Sequence, residues 1–489
     1  MVDQDAQRSV AAVVIMAAGA GTRMKSAVPK VLHRIAGRSM VGLAIDTADA
    51  LSPEHLVVVV GHQRDQVTAH LAEIAPHVTI AVQEQPLGTG DAVRSGMAAL
   101  PGITGEVVVT SGDVPLLAPE TLVELVAAHR ADGNAVTVLT SVVPDPTGYG
   151  RVVRDGDEVA RIVEQRDASD AELALTEINS GIYVFDAATL AEGLEALEPK
   201  NAQGELYLTD VVAHARAAGR RVGARLIVDH LQTEGVNDRV QLAERAAELN
   251  RRILVHWMTE GVTVLDPATT WVHAGVDLAE DVTLLPNTSL EGATSVARGA
   301  TIGPDTTLID VEVGENARVL RTQAELAVIG PDTTVGPFTY LRPGTDLSAK
   351  AHVGAFVEMK KAVIGEGAKV PHLTYCGDAV VGAGSNIGAG TIFANYDGIS
   401  KSTSTVGEHS FVGSDSVLVA PVHIADGAYV AAGSTITVDV GPGDLAVSRG
   451  QQRNIKGWVS RKRPGTRTAE AAAAALHETQ GTGEMGSGE

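Results

Sequence analysis

The stretch that decides the fold of the second half is VGEHSFVGSDSVLVAPVHIADGAYVAAGSTIT, residues 406–437. An aliphatic residue returns at every sixth position, namely at Val406, Val412, Leu418, Ile424, Val430 and Ile436. A helix repeats its apolar face every 3.6 residues and a strand every two, so neither produces a period of six. A parallel β-helix of hexapeptide repeats does, because each short flat face sends one apolar side chain inward.

The same period continues upstream in blocks that are separated by slips of a residue. The blocks begin at Val264, Val296, Val335, Ile364 and Val381. The region 264–436 would hold roughly nine to ten coils of three hexapeptides each. An ordinary β-rich domain with many glycine turns is the alternative, but an unbroken register of six rungs makes it the weaker explanation.

Composition limits the possible classes of protein. The 489 residues suit two or three domains, and a content of 44% hydrophobic but only 3% aromatic residues favours an aliphatic core. With 38 basic and 60 acidic residues the net charge is −22, so we expect no nucleic-acid partner. The single cysteine, Cys376, lies on the repeat as a core residue and is compatible with a reducing cytoplasm. No run of 18 apolar residues occurs, and we expect neither a membrane span nor a signal peptide in Met1–Ser9.

The first half opens with a buried strand, predicted at Val10–Met16, that runs into the glycine-rich segment AAGAGTRM, residues 17–24. A strand followed by such a turn and a helix presents unpaired backbone N–H groups to a phosphate. The segment lacks the third glycine of the dinucleotide fingerprint and the Gly-Lys-Ser/Thr of a P-loop. Arg23 and Lys30 follow closely, and two cations beside a glycine loop suit a triphosphate. A glycine turn alone is also common structural punctuation.

Alternating strands and helices predict a Rossmann-like α/β domain with an open, mostly parallel sheet. Further strands are predicted at residues 56–60, 106–110, 135–139 and 182–185, with a helix at Thr121–Arg130. Ligands of such sheets gather at the carboxyl ends of the strands, where Asp113 follows in SGDVPL, residues 111–116. A carboxylate there could hold Mg²⁺ together with phosphate oxygens, although Gly-Asp is more commonly a simple turn.

Seven segments then point to one family. They are MAAGAGTRM (16–24), QEQPLGTG (83–90), SGDVPL (111–116), PTGYGRV (146–152), IVEQRDA (162–168), EINSGIY (177–183) and EGVNDR (234–239). In this order, and with the hexapeptide half, the chain resembles the bacterial bifunctional N-acetylglucosamine-1-phosphate uridylyltransferases and glucosamine-1-phosphate N-acetyltransferases over roughly residues 10–463. The resemblance implies a cytoplasmic homotrimer with left-handed coils that makes UDP-N-acetylglucosamine for cell-wall peptidoglycan.

For the first half, the resemblance implies roles that individual residues would fill. UTP and the UDP-sugar would contact Met16, Ala17, Ala18, Gly19, Arg23, Lys30, Gln83, Gly88, Thr89 and Asn237, and the sugar phosphate would contact Gly150, Glu164 and Asn179. Asp113 and Asn237 would hold Mg²⁺. N-acetylglucosamine-1-phosphate would attack the α-phosphorus of UTP in line and release pyrophosphate. Taken singly, the three sugar residues could equally be turn or strand-end positions.

A long helix is predicted between the halves, at Asp238–Glu260, from an apolar stripe that includes Leu242, Leu249 and Trp257. The predicted domains are therefore a uridylyltransferase at 1–237, this helix at 238–260, an acetyltransferase β-helix at 261–464 and a disordered tail at 465–489. Two independent active sites are expected.

The second half carries a candidate base for acetyl transfer. A sugar ammonium must lose a proton before it attacks acetyl-CoA, and histidine is the usual base near neutral pH. His372, in PHLTY (371–375), is that candidate; Arg342 and Lys360 would bind the phosphate of glucosamine-1-phosphate, and Tyr375 and Asn386 its sugar. By resemblance, acetyl-CoA would contact Ala389, Asn395, Tyr396, Ser414, Ala432, Arg449 and Trp458. The alternatives for His372 are a structural corner residue and, less favoured because no His-x-His spacing occurs, a zinc ligand.

Two other functions stay open at this point. One is a single-activity sugar-1-phosphate nucleotidyltransferase whose β-helix only forms trimers. The other is a non-catalytic binding scaffold, which fits poorly with two sets of polar residues.

Overall fold

The computed structural model describes residues 9–481. The chain divides after Lys361 into two compact units. This division falls inside the repeat region. The first unit therefore holds the α/β half, the connecting helix and the first coils, and the second unit holds later coils and the tail.

The α/β half is built on a mixed nine-stranded sheet. Seven strands lie side by side in the order Val222–Ile227, Val136–Val142, Glu177–Asp186, Glu106–Ser111, Ala12–Ala17, His55–Val60 and Thr79–Val82. Neighbours are parallel except Glu177–Asp186, which is antiparallel to the strands on both sides. A hairpin of Arg151–Asp155 and Glu158–Val163 completes the sheet. The predicted, mostly parallel sheet is confirmed.

Helices cover both faces of this sheet because its central strands are apolar on both sides. The helices are Met40–Asp49, Arg64–Ile74, Thr89–Ala98, Pro119–Asp132, Asp170–Leu173, Ala187–Glu195 and Thr209–Ala217. In the central strand, Val13 and Ile15 belong to one hydrophobic core and Ala12 and Val14 to the other. A strand buried on both faces is the expected result of helices packed on each side.

The segment after the glycine loop differs from its prediction. Instead of an α-helix, a single 3₁₀ turn at Thr22–Met24 follows, and the next one is Lys30–Leu32. Gly21 and Lys25, which flank the first turn, both take left-handed backbone angles, with φ of 58° and 48°, so the helix does not continue. A side chain at position 21 would also place its Cβ 2.6 Å from the Cβ of Lys30, so glycine is required there.

The connecting helix runs from Arg239 to Thr259, as predicted within a residue at each end. Asp238 is its N-cap, since its Oδ1 accepts from the backbone N–H groups of Val240 and Gln241 at 2.9 Å each. Asn250 joins the helix to the first coil: its Nδ2 donates to the carbonyl of Thr270 at 2.8 Å, and its Oδ1 accepts from the N–H of Val272 at 2.9 Å.

The coils of the first unit are short parallel strands connected by turns. They are Thr263–Val264, Trp271–Val272, Asp277–Leu278, Thr283–Leu284, Thr288–Glu291, Ser295–Val296, Thr301–Ile302, Thr306–Ile309, Glu312–Val313, Arg318–Val319, Thr322–Glu325, Val328–Ile329, Thr334–Val335, Thr339–Leu341, Asp346–Leu347 and His352–Ala355, followed by Glu358–Ile364 at the boundary. Thr283 pairs with Thr301, one coil of about 18 residues later. Every predicted rung of this unit from Thr270 onward is buried, whereas Val264, in the first coil, is only half-buried.

The second unit continues the pattern. Its remaining strands are Lys369–His372, Tyr375–Val381, Asn386–Ile387, Ile392–Ala394, Ser404–Val406, Phe411–Val412, Val417–Val419, Val422–Ile424, Tyr429–Val430, Thr435–Ile436 and Leu445–Ala446. All six rungs that decided the fold are buried, and so is Cys376, as predicted.

The tail corrects the prediction of disorder in part. Residues Arg467–Gly481 of the predicted tail form a helix, and residues 482–489 lie outside the described part of the chain. A shorter helix, Trp458–Lys462, precedes the predicted tail. The alanine run at 471–475 explains the helix in the tail, because alanine has the highest helix propensity. Composition alone had suggested disorder because the tail is poor in large apolar residues.

Candidate functional sites

Two adjoining cavities open at the carboxyl ends of the central strands. The first, of about 270 Å³, is lined by Met16, Ala17, Ala18, Gly19, Lys30, Val31, Gln83, Pro86, Gly88, Thr89, Ala92, Ser111, Asp113 and Glu205. The second, of about 330 Å³, shares Met16, Thr89, Ser111 and Asp113 with it and adds Arg23, Tyr149, Asn237 and Gln241, among others. All the residues predicted to bind the nucleotide or the metal therefore lie around one of these two cavities.

Two predicted metal ligands, Asp113 and Asn237, both contact the side-chain ammonium group of Lys30. The Lys30 ammonium donates a very short hydrogen bond to Asp113 Oδ2 and a second bond of 3.3 Å to Asn237 Oδ1. The Ser111 hydroxyl donates to the other Asp113 oxygen at 2.7 Å, and the Val236 N–H donates to the Asp113 carbonyl at 2.9 Å. The two oxygens predicted to ligate Mg²⁺ thus converge on one positive charge.

Gln83 and Gly88 form one wall of the first cavity. The Gln83 Nε2 group donates to the carbonyl of Gly88 at 3.1 Å and to the carboxylate of Asp91 at 2.9 Å. Both amide hydrogens are therefore engaged, which leaves the side-chain carbonyl as an acceptor. Gly88 has φ of 112°, and a Cβ there would lie 2.5 Å from the carbonyl oxygen of Leu206, so only glycine fits.

The residues predicted to bind the sugar contact one another but line neither cavity. The Asn179 N–H donates to the carbonyl of Gly150 at 2.9 Å, and a Cβ on Gly150 would lie 3.4 Å from Glu164 Oε1. Burial raises the pKa of Glu164 above its usual value, which outweighs the hydrogen bond from Thr209 that lowers it. A carboxyl group whose charge is this poorly solvated is well placed to accept hydrogen bonds from sugar hydroxyls.

In the second unit, the predicted coenzyme residues follow one another along successive coils. The carbonyl of His372 accepts from the N–H of Gly390 at 3.3 Å, and the carbonyl of Ala389 accepts from Asp415 at 2.7 Å. The carbonyl of Ser414 accepts from Gly433 at 2.8 Å, and Arg449 Nη1 donates to the carbonyl of Ala432 at 2.8 Å. These three backbone bonds and the side-chain bond of Arg449 place His372, Ala389, Ser414, Ala432 and Arg449 in one row, which we call the coil-edge row.

The imidazole of His372 is exposed. No group within residues 9–481 is hydrogen-bonded to its ring nitrogens, and the Thr374 hydroxyl contacts only its backbone carbonyl, at 2.8 Å. Nearby in the sequence, Asn395 Nδ2 donates a short hydrogen bond to Asp378 and contacts the Tyr375 hydroxyl at 3.5 Å. The second unit therefore joins Tyr375, which was predicted to bind the sugar, and Asn395, which was predicted to bind the coenzyme, in one polar network.

The other predicted residues of the acetyl-transfer half lie at separate positions along the chain. Arg342 forms an ion pair of 2.9 Å with Glu358 in the first unit, where Lys360 also lies. Asn386 begins a strand, and Tyr396 and Trp458 are about half exposed, at 56% and 43%. The ring of Trp458 contacts the Arg463 guanidinium at 5.9 Å, which is a cation–π interaction within the tail.

Known proteins cover almost the whole chain. The family described as MobA-like NTP transferase domain matches residues 13–216, and the family described as hexapeptide repeat of succinyl-transferase matches residues 404–438. The bifunctional protein GlmU of Streptomyces avermitilis is 57% identical over 474 residues, which are 96% of this chain and 98% of that protein. The chain belongs to the bifunctional GlmU family. The GlmU of Mycolicibacterium vanbaalenii is 56% identical over 94% of both chains.

Membership of the GlmU family confirms the predicted bifunctional transferase and supports bifunctional synthesis of UDP-N-acetylglucosamine, with one nucleotidyltransferase half and one hexapeptide half. A solved UDP-glucose pyrophosphorylase complexed with UDP-glucose covers 50% of this chain and 99% of its own, at 18% identity and a TM-score of 0.40. In residues 9–481 no helix is long and apolar enough to cross a membrane.

Four residues with notable positions at these candidate sites are among those that the motifs do not identify. Ser111, Tyr149 and Gln241 line the second cavity, and Asp378 holds Asn395. Ser111 could have been found, since it lies in the SGDVPL segment two residues before Asp113. Asp378 carries no signal in the sequence because its contact depends on the stacking of two coils.

Proposed function

We propose that the two cavities of the first unit bind UTP, Mg²⁺ and N-acetylglucosamine-1-phosphate, and that residues of the hexapeptide coils bind acetyl-CoA and glucosamine-1-phosphate. The single observation that supports the first part best is the convergence of Asp113 and Asn237 on the Lys30 ammonium beside both cavities. Acetylation would come first, and its product would then receive the uridylyl group.

The metal would be held by Asp113 and Asn237. A carboxylate and an amide oxygen are hard oxygen ligands that suit Mg²⁺, which completes its coordination with water and phosphate oxygens. The Lys30 ammonium is a positive charge that both oxygens contact, so the two oxygens can bind one cation together. Bound there, Mg²⁺ would neutralise charge on the triphosphate during transfer.

Uridine would be selected at Gln83. Its free side-chain carbonyl would accept a hydrogen bond from the N3–H of uracil, whereas cytosine has an unprotonated N3 that would oppose the same oxygen. Asp91 fixes this orientation by accepting from the amide nitrogen at 2.9 Å.

For uridylyl transfer, the chain would mainly position the reactants and neutralise their charge. An oxygen of the sugar phosphate forms a bond to the α-phosphorus, and the bond from that phosphorus to the β-phosphate oxygen breaks, so pyrophosphate leaves. Lys30 and Arg23 would neutralise the negative charge of the phosphates. Glu164, Asn179 and Gly150 would hold the sugar.

For acetyl transfer, His372 would take a proton from the glucosamine ammonium. The free amine would attack the thioester carbonyl, a C–N bond would form, and the C–S bond would break. The new amide nitrogen would then lose a proton and the CoA thiolate would gain one, so CoA leaves as the thiol. The exposed, unbonded imidazole supports this role, because no other group competes for it among residues 9–481. Arg342 and Lys360 would hold the sugar phosphate, Tyr375 and Asn386 the sugar, and the coil-edge row the coenzyme.

The active form would be a homotrimer in the cytoplasm that feeds synthesis of peptidoglycan precursors. Large apolar side chains on the coils remain exposed, among them Phe338 and Phe356, whose rings stack at 5.2 Å. Exposed apolar side chains on one domain support the association of several copies of the chain. Sedimentation equilibrium of the full chain should give about three times 50.5 kDa, and a monomer at working concentration would contradict the trimer.

The decisive test of the paired activities is a pair of assays on the full chain. With acetyl-CoA, we expect thiol release with glucosamine-1-phosphate and none with glucosamine-6-phosphate. With UTP, Mg²⁺ and N-acetylglucosamine-1-phosphate, we expect pyrophosphate release. Pyrophosphate release without thiol release would favour a single-activity nucleotidyltransferase with a non-catalytic β-helix.

A further inference from the structure

The connecting helix reaches into the first active site. Its residue Gln241 lines the second cavity, together with Asp113 and Asn237. Its Oε1 atom accepts a hydrogen bond of 2.8 Å from the backbone N–H of Asn237. One side chain of the helix therefore holds the backbone of a residue that the proposed function assigns to the metal.

The position of Asn237 makes this bond important. It precedes the N-cap Asp238, so its N–H has no acceptor in the helical backbone, and the Gln241 side chain supplies one. The Asp238 Oδ1 atom accepts from the N–H groups of Val240 and Gln241, whereas the N–H of Asn237 donates to the Gln241 side chain. The bond fixes the backbone from which the Asn237 amide oxygen reaches toward Lys30 and Asp113.

The helix is itself anchored on both sides of this point. Arg239 Nε donates to the carbonyl of Met24, at the end of the glycine loop, at 3.3 Å, and Arg252 Nη1 donates to the carbonyl of Leu116 at 3.3 Å. Leu116 follows Asp113 in the SGDVPL segment. The hydrogen bond to Gln241 thus holds the backbone of Asn237 against a helix that is itself anchored.

We propose that Gln241 is a positioning residue that sets the metal affinity of the uridylyltransferase site through the backbone of Asn237. The inference rests on the proposed function of Asn237 as a metal ligand. It gives the connecting helix a role in the first reaction besides joining the two halves.

The test compares Gln241→Met, which keeps the length of the side chain but loses the acceptor, with Gln241→Glu, which keeps an acceptor oxygen. Binding of Mn²⁺ is measured at a fixed UTP concentration through the decrease of the electron paramagnetic resonance signal of the free ion. A sample with Mn²⁺ and UTP but no protein is the blank. We expect Gln241→Met to weaken Mn²⁺ binding about 10- to 100-fold, as is typical when the partner of a metal ligand is lost. Gln241→Glu should bind like the unchanged chain.

Two controls separate the possible failures. Val240→Met changes the exposed neighbour of Gln241 and should leave Mn²⁺ binding unchanged. Acetyl transfer should be unchanged in every variant, and thermal unfolding of each variant checks that its α/β half is folded. If Asn237→Ala binds Mn²⁺ normally, the proposed metal site itself is wrong. If Asn237→Ala binds weakly but Gln241→Met binds normally, or if Gln241→Glu fails as badly as Gln241→Met, the positioning role is wrong.

A double variant gives a readout that a merely structural role would not produce. Because Gln241 acts through Asn237, adding Gln241→Met to Asn237→Ala should weaken Mn²⁺ binding no further. Full additivity of the two losses would contradict the proposal.

Discussion

The two proposed sites of this chain differ in how far their groups are already assembled. Around the first, Lys30, Asp113 and Asn237 are bonded to one another at the edge of a cavity. In the second unit, His372 is exposed and the coenzyme residues follow the outer edges of successive coils. The first site is thus enclosed by its own domain, whereas the second is a surface.

This difference follows from the two architectures. An open α/β sheet gathers loops at the carboxyl ends of its strands, so residues distant in sequence meet in a cavity. A hexapeptide coil fills its interior with aliphatic side chains, so its polar groups can only lie outside. Acetyl transfer at such a surface needs further walls to exclude water, and neighbouring copies in the proposed homotrimer would supply them.

The largest expected effect concerns the exposed site. His372→Asn should lower acetyl transfer about 100- to 10,000-fold, the usual contribution of a general base, and leave uridylyl transfer unchanged. Both rates are measured on the same preparation by thiol release and pyrophosphate release. His409→Asn, at another exposed histidine of the same unit, is the matched control and should retain both activities. A His372→Asn variant with normal thiol release would make His372 a structural residue.

The reciprocal change addresses the enclosed site. Asp113→Asn removes the charge but keeps the shape of the side chain, and we expect uridylyl transfer to fall by more than about 100-fold because the negative charge that would hold the metal is lost. Acetyl transfer should persist. Asp65→Asn, an exposed carboxylate at the start of the helix Arg64–Ile74, should change neither rate. Equal loss of both activities in the Asp113 variant would contradict the independence of the two sites.

A smaller effect is expected at Glu164, the buried carboxyl group near the first site. Because burial raises the pKa of Glu164, its ionisation opposes folding at neutral pH. This penalty is absent below the usual glutamate pKa of 4.5, where folded and unfolded chains are both protonated, and it grows as pH rises through the folded pKa. Glu164→Gln should therefore unfold at a higher temperature than the unchanged chain at pH 7, and this advantage should shrink toward pH 4.5.

Thermal unfolding at several pH values measures this difference. The exposed Glu195→Gln is the control and should show no comparable pH dependence. An advantage of Glu164→Gln that increased on acidification would show that the buried carboxyl is stabilised, not destabilised, when ionised.

Much of this organisation could be predicted from periodicity and motif order. The six-residue ladder identified the buried rungs because an inward position of a β-helix recurs at a fixed interval. The segment after the glycine loop was predicted less well, since the left-handed angles at Gly21 and Lys25 end the helix before it forms. The helix in the tail was missed because a run of alanine has a strong local preference that overall composition hides.

The residues of the sites were predictable only where they lie in motifs. Asp113 and Asn237 lie in recognisable segments, so the resemblance could assign both to one Mg²⁺, whereas the contact of Lys30 with both is seen only in the structure. Asp378 depends on the stacking of coils, and Gln241 depends on a helix start that leaves the N–H of Asn237 unpaired. Such contacts arise from the tertiary structure and have no spacing of their own in the sequence.

The most direct test of two separate sites is complementation between the two variants. His372→Asn and Asp113→Asn proteins are mixed with glucosamine-1-phosphate, acetyl-CoA, UTP and Mg²⁺, and UDP-N-acetylglucosamine is measured. Each variant alone should make almost none, and the mixture should make it readily because the acetylated sugar phosphate released by one protein is the substrate of the other. A mixture that makes no more than either variant alone would contradict the presence of two independently working sites.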